Sequence, residues 1–234
     1  MNQEQQLRFF TTPAHNCSYL TDQQATTLFL DSDRSVDQQL SGLLAGNGFR
    51  RSGSHYYRPY CKTCNACISV RVLVKTFRRS KGQRRIWNKN RDLSVQCTAP
   101  AFTKERYYLY RHYIRERHAD GDMYPPSPRQ FLNFLCTGNS FTRFYEFRKG
   151  EHLLAVAVTD LLPGGLSAVY TFFDPDQSSR SLGTFCILWQ IEECFLTQQD
   201  YLYLGYWIQN CPRMAYKALY TPQERYINGV WQCP

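Results

Sequence analysis

Around residue 70 the chain alternates. Val70, Val72 and Val74 fall on one parity and Arg71 and Leu73 on the other, which predicts a strand over 68–77 with one apolar face. A second strand is predicted over 54–60, with a cysteine segment between the two. Upstream, Val36, Leu40, Leu43 and Leu44 recur at helical spacing and predict a helix over 35–46, which Gly46 to Gly48 ends. Residues 1–16 carry no such period and read as a loose arm. Further on, Thr103 caps a helix running to about His118, and residues 120–128 hold strong turn chemistry. Ser127, Pro128 and Gln130 then predict another helix start, with Pro128 at the first position and Gln130 closing a capping box.

The second half has a definite order. Strands are predicted over 141–148, 152–161 and 166–173, with turns at 149–151 and 163–165. A polar loop leads into a helix over 182–198, with Phe185, Leu188, Ile191 and Phe195 inward. A strand over 200–207 and a short helix over 210–220 follow. Residues 97–102, with Pro100, look like a boundary, which predicts two units, 1–98 and 99–234. Antiparallel hairpins, a crossover helix, then a strand and a helix resemble the core of N-acetyltransferase-like (GNAT) acyltransferases. The expected class is α+β: a GNAT-like mixed-sheet C-terminal domain with a smaller N-terminal domain packed on it.

Charge changes this picture. Of 234 residues, 28 are basic and 19 acidic, for a formal charge of +9 and a pI near 9.1. Between 75 and 91 stand Lys75, Arg78, Arg79, Lys81, Arg84, Arg85, Lys89 and Arg91 with no acidic residue. Like charges so dense repel one another, so a purely structural role is disfavoured and an anionic partner such as RNA phosphate is implied. Trp87 adds a stacking ring within the run. The N-terminus has no basic-then-apolar export signature, and no apolar run is long enough to span a bilayer. A cytoplasmic protein without a membrane partner is predicted. Its ten cysteines are then reduced thiols or metal ligands rather than disulfides.

Three places carry chemistry. Small residues over 178–184, at the start of the crossover helix, leave backbone N–H groups for a phosphate or the terminal nucleotide of an acyl carrier; an ordinary serine-capped helix is the plain alternative. Tyr206, Trp207, Gln209 and Asn210 stand at a strand's C-terminal edge, where clefts form, with Tyr216 and Lys217 on the helix beyond. Core aromatics and a solvated Lys217 are the alternative there. Cys61, Cys64 and Cys67 have ligand spacing, and Cys17 is a candidate fourth thiolate, but small thiols packing a turn explain them as well, so the metal stays unassigned. No P-loop, dinucleotide fingerprint or histidine-centred nucleophile stands out.

Several stretches along the chain resemble the aminoacyl-tRNA–protein transferase family. They are Cys17 to Leu20, residues 48–53 (Gly-Phe-Arg-Arg-Ser-Gly), 57–59 (Tyr-Arg-Pro), the cysteine triplet through 70–72, and Phe77, Ser80, Gln83, Arg84 and Arg85. In the second half they are 170–175, 181–184, 203–208, and Cys211, Met214, Tyr216, Lys217, Tyr220 and Pro222. The likeness is greatest to the bacterial leucyl branch, with the arginyl branch close by. It implies leucine transfer from leucyl-tRNA to the N-terminal amine of proteins starting with Asp or Glu, creating a degradation signal, with no cofactor required. In the arginyl branch paired cysteines bind metal or a cluster; here Leu20 stands where the second cysteine of the first pair would be.

On that reading the transfer centre is expected at Tyr170, Asp174, Leu182, Gly183 and Tyr206. Backbone N–H groups near Leu182 and Gly183, or the hydroxyl of Tyr170 or Tyr206, would stabilise an oxyanion, and Asp174 would receive the ammonium proton. The acidic acceptor side chain is expected on Arg71, Arg78, Arg84 or Arg85, with Lys217 in reserve. The tRNA is expected on Arg79, Lys81, Lys89, Arg91, Arg180 and Ser181. The rivals are a non-catalytic RNA-binding module and an acetyl-CoA-dependent acetyltransferase.

Overall fold

The structure is a computed structural model that describes residues 6–137 and 139–234. The first strands are β1 (Phe9–Thr11), β2 (His15–Asn16), β3 (Gln24–Ala25) and β4 (Thr27–Leu30). The predicted loose arm is therefore structured from Phe9 onward, because β1 adds to the edge of β4; residues 1–5 of that arm lie outside the described residues. Helix α1 (Gln38–Gly46) starts where Asp37 accepts from the Leu40 N–H, and β5 (Arg50–Ser52) and β6 (His55–Pro59) follow as a hairpin. Strands β1, β4, β6 and β5 form a four-stranded sheet over a small core of Leu30, Leu44, Phe49 and Tyr56.

Strand β7 (Ile68–Leu73) buries Val70 and Val72, as the alternation predicts, but stops before Phe77 because Val74–Thr76 coil into a 3-10 turn. The basic run becomes α2 (Lys81–Lys89), started by a reciprocal capping box between Ser80 and Gln83. Next come β8 (Ser94–Thr98), α3 (Lys104–Arg117, capped by Thr103) and the single turn α4 (Pro128–Phe131), which widens into a π turn to Cys136. Ser127 caps α4 as expected, but the Gln130 side chain accepts from the Tyr110 hydroxyl instead of closing a box. The second half supplies β9 (Thr142–Lys149), β10 (His152–Leu162), β11 (Gly165–Phe173), α5 (Leu182–Leu196), β12 (Tyr201–Trp207), α6 (Pro212–Ala215), β13 (Gln223–Ile227) and β14 (Val230–Gln232).

These make an eight-stranded sheet in the order β14-β13-β7-β12-β11-β10-β9-β8, antiparallel except for the β11–β12 pair. The sheets divide between β6 and β7, not after residue 98: β7 lies between β12 and β13, and β8 forms the far edge. Helix α3 covers one face over Tyr110, Ile114, Phe144, Val156 and Phe172. Helices α5 and α2 cover the other, over Phe147, Phe185, Leu188, Leu202 and Val72. Phe195, expected inward on α5, is exposed; one position back, Cys194 takes the buried place. A bidentate ion pair joins the two sheets: Arg51 on β5 meets Asp160 on β10 at 2.6 and 2.7 Å, and Thr142 donates to the same carboxylate. The architecture is α+β, with a smaller N-terminal sheet on a larger mixed one.

Candidate active site

Strands β11 and β12 pair for three residues only, Gly165–Ser167 against Tyr201–Tyr203. The approach is tight at its start, where a Cβ on Gly165 would lie 2.6 Å from the Tyr201 carbonyl oxygen. Beyond Ser167 the strands separate, since β11 keeps its bonds to β10 as far as Phe173 while β12 follows β7 as far as Trp207, with a bulge between Tyr203 and Gly205. Two parallel strands that part in this way open a wedge at their C-terminal ends. Arg50, from the small sheet, fills its base. Its Nη1 donates to Ser167 Oγ at 2.9 Å and its Nη2 to the Ala168 carbonyl at 2.5 Å, across to β11. On β12, Gly205 makes the room: its φ is +81°, and a Cβ there would sit 2.7 Å from Arg50 Nε.

Aromatic side chains line the wedge. Tyr170 on β11 stands edge-on to Phe134, at 5.0 Å, and to Tyr113 of α3, at 6.4 Å. Its hydroxyl is buried with no hydrogen-bond partner among the described residues, and burial drives its pKa upward, so it is held as a neutral donor. Tyr113 also packs on Phe173 at 4.8 Å. The first turn of α5 follows from Ser181, which adopts φ +53°. Leu182 is buried in the core, and Gly183 lets Phe173 close in: a Cβ at that position would lie 3.0 Å from the Phe173 ring. Across the wedge stand Tyr216, partly exposed, and Lys217, buried, on the 3-10 turn (Tyr216–Leu219) that follows α6.

Some expectations need correcting at this geometry. Tyr206 is buried, and its hydroxyl is taken up by the Gly48 and Tyr57 carbonyls, each 3.1 Å away, so it ties the two sheets together and is not an available oxyanion donor. Lys217 is not solvated: its Nζ donates to the Tyr206 carbonyl at 2.8 Å. Burial, and then the nearby Arg50 charge, lower its pKa to about 7. Asp174 accepts from the Asp176 N–H and caps the 3-10 segment before α5, 4.0 Å from His112 Nε2.

The basic candidates scatter. Arg71 pairs with Glu224 at 2.7 Å, between the Tyr201 and Trp231 rings. Arg79 pairs with Glu192 over the Trp87 ring. Arg78 donates to the Phe77 carbonyl and Arg84 to the Arg79 carbonyl. Lys81, Arg84, Arg85, Lys89 and Arg91 are all exposed, on or just past α2. The end of α2 adjoins the start of α5: Lys89 donates to the Ser179 carbonyl, Asn90 to that of Arg180, and Arg180 pairs with Asp92, whose carboxyl is thereby held at about 2. A basic helical face thus leads to the mouth of the wedge. Arg50 and Tyr113 stand at the wedge although the sequence did not single them out as candidates, whereas Tyr216 was named beside Lys217 from the sequence. The only signal for Arg50 was its place in the 48–53 stretch, since its contact Ser167 lies 117 residues away.

Cys17, Cys61, Cys64 and Cys67 are half-buried free thiols, and with Cys211 they lie near enough to act electrostatically on Cys67. Burial above all pushes the Cys67 thiol up to about 12. Among the described residues, the group of three potential ligands within 4.8 Å is instead His112, Asp174 and Asp176. Asp174 also borders an open cavity of about 450 Å³ with Glu105, Lys149, His152 and Gln177. No helix among the described residues is long and apolar enough to cross a membrane.

Comparison with known proteins adds to this geometry. Family profiles described as "Arginine-tRNA-protein transferase, N terminus" and "Arginine-tRNA-protein transferase, C terminus" match residues 15–85 and 105–227. Over 231 residues the chain is 53% identical to proteins named aspartate/glutamate leucyltransferase from Pseudomonas savastanoi pv. phaseolicola (strain 1448A / Race 6) and Pseudomonas syringae pv. syringae (strain B728a). Each match covers 99% of this chain and 98% of the relative. Likeness to solved structures is weaker: the structure of L-PGS from Bacillus licheniformis aligns at 11% identity with a TM-score of 0.48, over 60% of this chain and 45% of that one.

Proposed function

Since the chain belongs to the arginine-tRNA-protein transferase family, we propose that the wedge between β11 and β12 is the place where its aminoacyl transfer occurs. The chain is an aminoacyltransferase that moves leucine from leucyl-tRNA to the N-terminal amine of proteins starting with Asp or Glu, which creates a degradation signal. The near full-length identity to relatives of that name carries this reading. The order of β9 to β12 around α5 supports a GNAT-like description of the larger unit. The larger sheet, with β7 inside it, then holds the transfer centre, and the smaller N-terminal sheet adds recognition.

The reaction joins a primary amine to an ester. The acceptor nitrogen bonds to the leucyl carbonyl carbon, the bond from that carbon to the ribose oxygen breaks, and the proton released by nitrogen ends on the ribose oxygen. An α-amine has a pKa of about 7.7 to 8.0, so much of it is neutral near pH 7.5 and ready to attack. Holding amine and ester together supplies most of the acceleration, up to roughly 7 to 11 kcal/mol. The developing oxyanion needs donors already in place. The Tyr170 hydroxyl, unpartnered and beside the wedge, fits that task, as do the backbone N–H groups that open α5. The exposed cations of α2, with Arg91 just beyond it, offer a phosphate track for the acceptor stem.

The direct test incubates the protein with radiolabelled leucyl-tRNA, arginyl-tRNA or acetyl-CoA and peptides starting with Asp, Glu, Lys or Ala. Leucine incorporation confined to the Asp and Glu peptides is expected. Incorporation from arginyl-tRNA would move the protein to the arginyl branch, and acetylation would make it an acetyltransferase.

A further inference from the structure

Several inward-facing arginines in this fold are given carboxylates. Arg51 has Asp160, Arg106 has Glu146 at 2.6 Å, and Arg71 has Glu224. Arg50 and Lys217 are different. Both point into the base of the wedge and act on each other electrostatically, yet among the described residues no carboxylate lies within ion-pairing distance of either. Arg50 spends its donors on a hydroxyl and on backbone carbonyls, and Lys217 meets the Tyr206 carbonyl, the Met214 sulfur and, at 5.1 Å, the Tyr216 ring, none of them an anion. A buried cation without a counter-charge is costly, and two side by side cost more. Gly205, at positive φ, is shaped to admit one of them. A fold that keeps such a pair, and bends a central strand around it, has a place prepared for an anion.

We propose that Arg50 and Lys217 form the seat of the acceptor's acidic side chain, their two positive groups gripping its carboxylate while the adjoining α-amine reaches the leucyl ester. This rests on the leucyl-transfer reading above. Position favours a carboxylate over a tRNA phosphate. The exposed cations for phosphate lie on α2 and just beyond it, whereas this pair lies inside, at the root of the strands that hold Tyr170. The seat also rejects neutral analogues. Asn or Gln in place of Asp or Glu would leave the half-buried Arg50 guanidinium without a counter-charge and would give Lys217, whose pKa is lowered to about 7, no anion to hold its proton, a stronger penalty than a single missing hydrogen bond. Lys217, with its flexible stem, can follow a carboxylate at either side-chain length, while Arg50 is fixed by its bonds to β11.

Leucine transfer is measured for peptides identical except for a first residue of Asp, Glu, Asn or Gln. The enzymes are the wild type, Arg50→Gln, Arg50→Lys and Lys217→Met. Arg50→Gln and Lys217→Met are expected to lower kcat/KM for the Asp peptide about tenfold to a hundredfold, chiefly through the peptide's KM. The preference for Asp over Asn falls with it, and Arg50→Lys recovers part of both. A merely structural role would lower transfer to all four peptides alike. Arg50 also binds β11, so Arg50→Gln risks misfolding; in that case Lys217→Met and Arg50→Lys decide. Folded variants that keep the wild-type preference for Asp over Asn would overturn the seat alone. A wild type that transfers leucine to none of the peptides would overturn the reading on which the seat rests.

Discussion

Replacing Tyr170 with Phe removes a hydroxyl that has no hydrogen-bond partner among the described residues, whereas Tyr206→Phe removes one that holds two backbone carbonyls. The two variants should therefore separate. Tyr170→Phe is expected to melt at or above the wild-type temperature, since it removes a buried hydroxyl without a partner, and to lose about tenfold to a thousandfold in kcat, the range for removal of an oxyanion donor. Tyr206→Phe is expected to cost about 1 to 3 kcal/mol in urea unfolding, because buried acceptors are left unpaired. Lys217 gives a pH signature. Its folded pKa, about 7, lies below the ordinary lysine value, with burial and Arg50 as causes and Cys211 weakly opposing. Between about 7 and 10.4 the unfolded chain binds a proton that the folded one does not, so stability rises with pH across that window. Lys217→Met should thus gain on the wild type as pH falls from the top of the window to pH 7, and the gain should then level off. Chemical denaturation over that pH range checks it; a flat difference would mean the amine is not desolvated as the structure has it.

Among the elements, α2 joins an internal capping box to an exposed basic face. Ser80→Ala is expected to destabilise by about 1 kcal/mol, read by thermal or urea unfolding. Reversing Lys81, Arg84 and Arg85 to Glu touches no buried group and should spare stability, while raising the KM for leucyl-tRNA and flattening its dependence on salt. The slope of log affinity against log salt falls by about one for each phosphate no longer neutralised, and an unchanged slope would take α2 out of the tRNA path. Much at this scale was legible beforehand. The alternation at Val70 and Val72, the Thr103 cap and the hairpin turns are local, and the elements obey them. Where local signals misled, packing was the cause. Phe195 faces out although its spacing matched the inner stripe, and β1 is a strand only because β4 offers it an edge.

For the molecule as a whole, the large sheet is not the product of the second half alone. Strand β7 holds β12 on one side and β13 on the other. A fragment of residues 99–234 would leave both with open edges and lose the buried Val70 and Val72. It is expected to aggregate or to lack a cooperative transition by circular dichroism, where the full chain unfolds cooperatively. The sequence by itself determined the order of the elements from β9 to α6, the basic run and the family, because strand alternation, caps, charge density and motif spacing are carried by neighbouring residues. It also singled out Tyr170 and Lys217. Only the tertiary structure decided what those residues are for. Whether a tyrosine hydroxyl is free or occupied, or a lysine solvated or buried beside an arginine, depends on chain segments more than a hundred residues apart. The meeting of Arg50 with the parted ends of β11 and β12 is such a case: no local pattern encodes it, because the cost of burying that charge arises only when the two sheets close over it.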